Sequence, residues 1–223
     1  MSVEPLLAHR VHGADPVQAP PRTALRVVEP PRGANLVDAE QAATAFLVAL
    51  GMDLDTESLA ATPARMARAY AEMFSPRPFD LTTFPNDAGY DELIIARAIP
   101  VQSVCEHHLL PFVGVAHVGY LPGERILGLS KLARVVELFA RRPQVQERLT
   151  QQIADWLQDQ VAPRGLGVVV EAEHLCMTVR GVRASGASTV TSALHGQLRA
   201  DAASRAEFFT LIAAQKQPEV RNA

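Results

Sequence analysis

The 223-residue chain has only two cysteines, Cys105 and Cys176, too few for the disulfide framework of a small secreted domain. Aromatic residues make up 5% of it, which leaves little for a base-stacking nucleic-acid platform. Positive charge is not in excess. With a formal net charge of −3, neither nucleic acid nor a membrane surface is the expected partner, and an anionic ligand needs a local basic cluster. No apolar run approaches the roughly 18 residues of a membrane span; "LLPFVGVAHVGYLPG" is broken by Pro111, Gly114, His117 and Gly119. The N-terminal "MSVEPLLAHRVHGADP" lacks a charged start followed by an apolar block, so no signal peptide is expected. Also missing are a G-x-x-x-x-G-K-[ST] loop, a G-x-G-x-x-G turn and the H-x-E with P-C-x-x-C of the base deaminases. A cytoplasmic globular protein is the expectation.

What is present is unevenly distributed. Residues 1–37 carry six prolines and no periodicity, and read as a flexible tail. Residues 38–90 read as a helical region. Asp38 is the expected cap of a helix with Ala42, Phe46 and Leu50 as its stripe, ended by Gly51. A second helix opens at Thr62 and Pro63, with Met66, Tyr70 and Phe74 on one side. Arg65 and Arg68 share another face of it, which by itself reads as solvated basic surface.

From residue 91 to 223 the chain alternates between strands and helices. "ELIIARAIPV", "FVGVAHVGYLP" and "ERILGL" read as strands, and "SKLARVVELFARR" as a helix through Leu132, Val135, Val136 and Phe139. Pro143 is expected to start the next helix, with Val145, Leu149, Ile153 and Leu157 inward. "LGVVVEAEHLCMTVRGVR" and "STVTSAL" read as strands, and "SRAEFFTLIAAQ" as a closing helix. This order indicates an α+β fold with largely antiparallel pairing rather than alternating βαβ units.

The chemistry concentrates in "SVCEHHLLPF". Cys105 and His108 stand three apart; in a strand they would face opposite ways, whereas a curled backbone turns both to one side. Thiolate and imidazole together suit Zn²⁺. Cys176, beside His174, completes a Cys₂His set with a fourth position open, the pattern of a catalytic zinc. Such an ion lowers the pKa of bound water towards about 7, and His107 and His174 are then available to shuttle protons. Burial of the cysteines as small hydrophobes is the competing reading. Elsewhere, Ser130, Lys131 and Arg134 open a helix whose N–H groups and dipole favour phosphate, and Arg180 follows Cys176 by four residues. Gln146 and Glu147 sit in the first turn of the next helix; a buried carboxylate there suits a guanine edge, an exposed one merely the helix dipole.

Taken together, "SVCEHHLLPF", "GLSKLARVVELFARRPQVQERLTQQIADWL", "EHLCMTVRGVR" and "GASTVTSAL", with "TPARMARAY" upstream, resemble the GTP cyclohydrolase I family over residues 38–215. The resemblance implies a T-fold: an antiparallel sheet with helices packed on one face, preceded by a helical region. It further implies subunits joined into a barrel-like homodecamer with sites between them. Zinc on Cys105, His108 and Cys176 would drive hydrolysis at C8 of GTP. His107 would donate a proton to the ring, and His174 would act as acid or base in the later rearrangement. Glu147 with Gln146 would read guanine. Ser130, Lys131, Arg134 and Arg180 would hold ribose and triphosphate, joined by Arg65 and Arg68 of a neighbouring subunit. Glu106 receives no role from the resemblance.

Overall fold

Asn35 opens the first helix. In the computed structural model, which describes residues 33–214, its Oδ1 accepts from the backbone N–H groups of Val37 and Asp38. It thus caps α1 (Leu36–Ala49), and Asp38, expected as the cap, falls in the first turn, where its charge suits the helix dipole. The expected stripe is displaced as well. Ala42, Phe46 and Leu50 are exposed, and the buried residues are Ala43 and Leu47, one position further round the helix. α2 (Thr62–Met73) buries Pro63 and Ala67 and half-buries Met66, Tyr70 and Phe74. Thr62 provides no side-chain cap; its hydroxyl accepts from Arg65 instead. Most of the expected tail, residues 1–32, lies outside the described residues, as do residues 215–223.

The strands are β1 (Thr83–Pro85), β2 (Ile94–Cys105), β3 (Pro111–Leu121) and β4 (Arg125–Leu127). Then come α3 (Leu129–Ala140), β5 (Pro143–Gln144), α4 (Gln146–Val161), β6 (Gly165–His174) and α5 (Leu175–Thr178). β7 (Thr189–His195), α6 (Gly196–Ala200) and α7 (Ala202–Ala213) close the described chain. The main sheet runs β5-β2-β3-β6-β7 and is antiparallel except where β5 lies parallel to β2; β1 and β4 form a separate antiparallel pair. Pro143 does not start a helix. It occupies an edge strand, where its missing N–H costs no ladder bond, and α4 begins only at Gln146. The long strand expected through Arg183 stops at His174, where α5 turns the chain.

α3 and α4 cover one face of the sheet with Leu132, Val135, Val136, Leu149, Ile153 and Leu157, all packed into the core with Val101, Val118, Val168 and Val170. The opposite face is not bare, which departs from helices on one face alone. α7 lays the fully buried Phe208 across Gly119 and Gly167, where an added Cβ would come within 2.8 Å of the ring. Side chains alternate along β6, so Val168 and Val170 serve the first core while Gly167 and Val169 serve the second. Among the described residues no helix is long and apolar enough to cross a membrane.

Candidate active site

β2 ends on Cys105, and the backbone curls immediately. The N–H groups of His108 and Leu109 both donate to the Cys105 carbonyl, at 3.3 and 2.8 Å, and Cys105 N–H donates to Leu110 O at 2.8 Å. Leu109 takes a left-handed φ of 53° to close the loop before β3. As the i, i+3 spacing requires, the curl brings His108 Nδ1 to 3.7 Å from Cys105 Sγ. The β3–β6 ladder, with Phe112 opposite His174, then returns the chain to this loop, and the single turn of α5 presents Cys176.

The ligand atoms of Cys105, His108 and Cys176 all lie within 4.8 Å of one another, and both cysteines are free thiols. Ligands about 2.0–2.3 Å from a tetrahedral zinc stand roughly 3.5–3.8 Å apart, so the set needs little closing. Burial first, and then the Cys105 thiol, push the Cys176 thiol up, with Arg180 pulling the other way. A divalent cation offsets such a cost by favouring the thiolate. The residues therefore fit a zinc ion.

Two further histidines flank the group. His107 is exposed, with Nδ1 3.8 Å from Cys105 Sγ. His174 stacks on Phe112, with ring centroids 4.5 Å apart and planes at 11°, and its Nε2 meets Gln146 Oε1 at 2.7 Å. Burial pulls the His174 imidazole below its usual value, and the Glu147 carboxylate opposes that.

The family model described as GTP cyclohydrolase I matches residues 39–213. A protein named GTP cyclohydrolase 1 from Streptomyces avermitilis is 56% identical over 182 residues, covering 79% of this chain and 90% of its own. Its namesake in Mycobacterium leprae is 58% identical over 179 residues, covering 78% and 87%. The one in Mycobacterium ulcerans is 54% identical over 195 residues, covering 85% and 94%. The chain belongs to the GTP cyclohydrolase I family.

In this cyclohydrolase the remaining expected site residues divide into near and far. Arg180 is close enough to the Cys176 thiol to act on it. Glu147 is exposed beside His174. Ser130 and Lys131, at the start of α3, are far. α3 starts beside β4, whose Leu127 donates to Tyr120 Oη, and Tyr120 stands roughly 26 Å along β3 from Phe112 at strand rise. Arg134 there meets Glu137 at 3.4 Å, and Glu137 is held by Arg77 at 2.7 Å. Arg65 and Arg68 are exposed on the part of α2 turned away from Tyr70. Gln146, expected to read guanine, is instead 2% exposed with its carboxamide engaged inside the protein.

Three supporting residues escape sequence reasoning. Tyr70 Oη donates to Leu109 O at 3.0 Å and ties α2 to the loop after Cys105. Gln144 accepts Glu106 N–H at its carbonyl and Arg148 Nε at its side chain, at 3.0 and 3.1 Å. Arg148 grips the Glu106 carboxylate as well, and those hydrogen bonds hold the Glu106 carboxyl below its usual range. Glu106, the residue without a role, thereby fastens the loop to α4. The signal was faint: Glu106 and Arg148 are 42 positions apart, and only β5 brings them together. Arg148→Met is expected to weaken zinc binding about tenfold, as loss of a group that orients metal ligands does. Competition with a chromophoric chelator checks it; unchanged affinity would show the clamp to be incidental.

Proposed function

We propose that this chain hydrolyses GTP at C8 of the guanine ring using zinc on Cys105, His108 and Cys176, and forms 7,8-dihydroneopterin triphosphate. The carbon leaves as formate. This enzyme performs the first step of pterin and folate biosynthesis. The observation that carries the metal-dependent reading is the convergence of two thiols and one imidazole from β2's end and α5. When bound, zinc supplies Lewis acidity that activates water at neutral pH.

The chain's own residues do the rest. His107, exposed next to the ligands, holds the proton given to the imidazole nitrogen of the opening ring. His174, held by stacking on Phe112, serves the later proton transfers of ribose rearrangement and ring closure. Glu147 accepts from the guanine edge, and its exposure leaves it free to do so. The triphosphate undergoes no chemistry; its binding aligns C8 for attack. Arg180 holds it near the metal, while Ser130, Lys131 and Arg134 reach it from the start of α3, where no side chain caps the N–H groups.

The start of α3 lies far from Cys105, His108 and Cys176 of its own chain, which supports a second copy bringing these three. The reading therefore includes self-association, with homodecameric subunits sharing sites and Arg65 and Arg68 contributed across a boundary. Exposed apolar residues such as Leu36, Val37 and Phe46 on α1 and Val190 on the edge strand β7 support it.

Zinc-loaded protein given GTP is expected to release formate and yield a pterin that fluoresces after oxidation. Neither product, with zinc bound and the oligomer intact, would overturn the reading.

A further inference from the structure

Gln146 sits in the first turn of α4 with every polar atom of its carboxamide occupied. Nε2 lies 3.1 Å from Val170 O, 2.8 Å from Thr189 O and 3.2 Å from Thr191 Oγ1. The first two are carbonyls and can only accept, so the amide nitrogen must face them and the amide oxygen cannot. Oε1 is thereby turned to His174 Nε2 at 2.7 Å, where an acceptor requires a donor. His174 must carry its proton on Nε2, and its one side-chain hydrogen bond among the described residues leaves Nδ1 unengaged. Stacking on Phe112 sets the plane of the ring, and the hydrogen bond sets its rotation within that plane. The anchor is itself braced: Thr150 Oγ1 donates to Gln146 O at 2.9 Å and accepts from Thr191 Oγ1 at 2.6 Å.

We infer that Gln146 is a positioning residue that holds His174 as its Nε2–H tautomer, leaving Nδ1 to accept protons, and that its side chain does not read guanine. A carboxamide with its donors facing three acceptors, its oxygen on an imidazole and 2% exposure has no donor and no open surface left for a base edge; that task falls to Glu147. This rests on the GTP reading and on His174 as an acid or base.

Gln146→Met keeps length and apolar bulk while removing both ends of the relay. Expected is a fall in kcat of about 100-fold, the scale of one misplaced acid–base group, with KM for GTP within about threefold, since uniform binding is untouched. The preference for GTP over inosine triphosphate, which lacks the exocyclic amine, is expected to stay as in the parent protein, and zinc content is expected to stay the same. In a His174→Ala background, Gln146→Met is expected to lower residual formate release by less than about twofold, because the group it positions is already gone. A rise in KM with lost preference for GTP would overturn the inference, and so would a full 100-fold loss on top of His174→Ala. If Gln146→Met does not fold, Thr191→Val removes one acceptor at a half-exposed strand position. It is expected to lower kcat a few-fold in the parent protein and not at all in the His174→Ala background, and an equal loss in both would overturn the inference. The parent protein run in the same assay separates the two failures: no formate from GTP means that the underlying reaction is wrong, whereas formate with a guanine-selective Gln146 defect means that only this assignment is.

Discussion

Cys176→Ser is expected to lose zinc and GTP turnover together, the latter by about 10³-fold or more. The substitution changes one atom, and packing around α5 survives it because Cys176 is only partly buried. What changes is ligand chemistry. A thiol gives up its proton to a cation near neutral pH, whereas a hydroxyl with far higher pKa does not, so Cys105 and His108 remain alone. Two ligands do not hold a catalytic zinc against water, and the Lewis acidity lost with the ion is worth several kcal/mol of barrier. Metal analysis on the purified variant, beside formate release and a thermal melt, checks the outcome. Stoichiometric zinc in a folded Cys176→Ser protein would show that the ligand set is wrong.

His107→Ala is expected to do the reverse with the metal: zinc stays and turnover falls by about 10²–10⁴-fold, the range for a lost general acid. Two adjacent histidines lie similarly close to Cys105, at 3.8 and 3.7 Å, yet it is His108 that joins the group with Cys176. His107 is exposed and forms no part of the described core, so its removal costs little stability. Guanine is a poor electrophile until its ring nitrogen is protonated, so the defect belongs in kcat and not in KM. Should zinc disappear along with activity, His107 would be the ligand and His108 the acid.

The curl after Cys105 was legible from one local rule. A Cys and a His three apart can reach a common atom only if the strand stops between them, and the loop does stop there. Cys176 followed as the sole remaining thiol. The buried stripes of α3 and α4 were legible for the same kind of reason: Leu132, Val135, Val136, Leu149, Ile153 and Leu157 recur at helical spacing with polar residues between them. α1 misled because alanine and valine occur on several of its faces, so the packing partner and not the pattern chose Ala43 and Leu47. β5 is two residues long and has no periodicity to detect, yet it carries Gln144 and so the whole Glu106–Arg148 clamp. Nothing in the spacing of Gly119 and Gly167 points to Phe208, much further along the chain; only the fold shows its ring lying on both. Ser130, Lys131 and Arg134 do fall at the start and first turns of a helix, as expected, but sequence carries no distance, and the separation of that helix start from Cys105, His108 and Cys176 emerged only from the length of β3.

The central claim is a zinc ion bound by two sulfurs and one imidazole of the same chain. Zinc K-edge X-ray absorption on the purified protein tests it most directly. The prediction is two sulfur scatterers at about 2.3 Å and nitrogen or oxygen scatterers at about 2.0–2.1 Å per zinc. A shell without sulfur, or with four sulfurs, would contradict it.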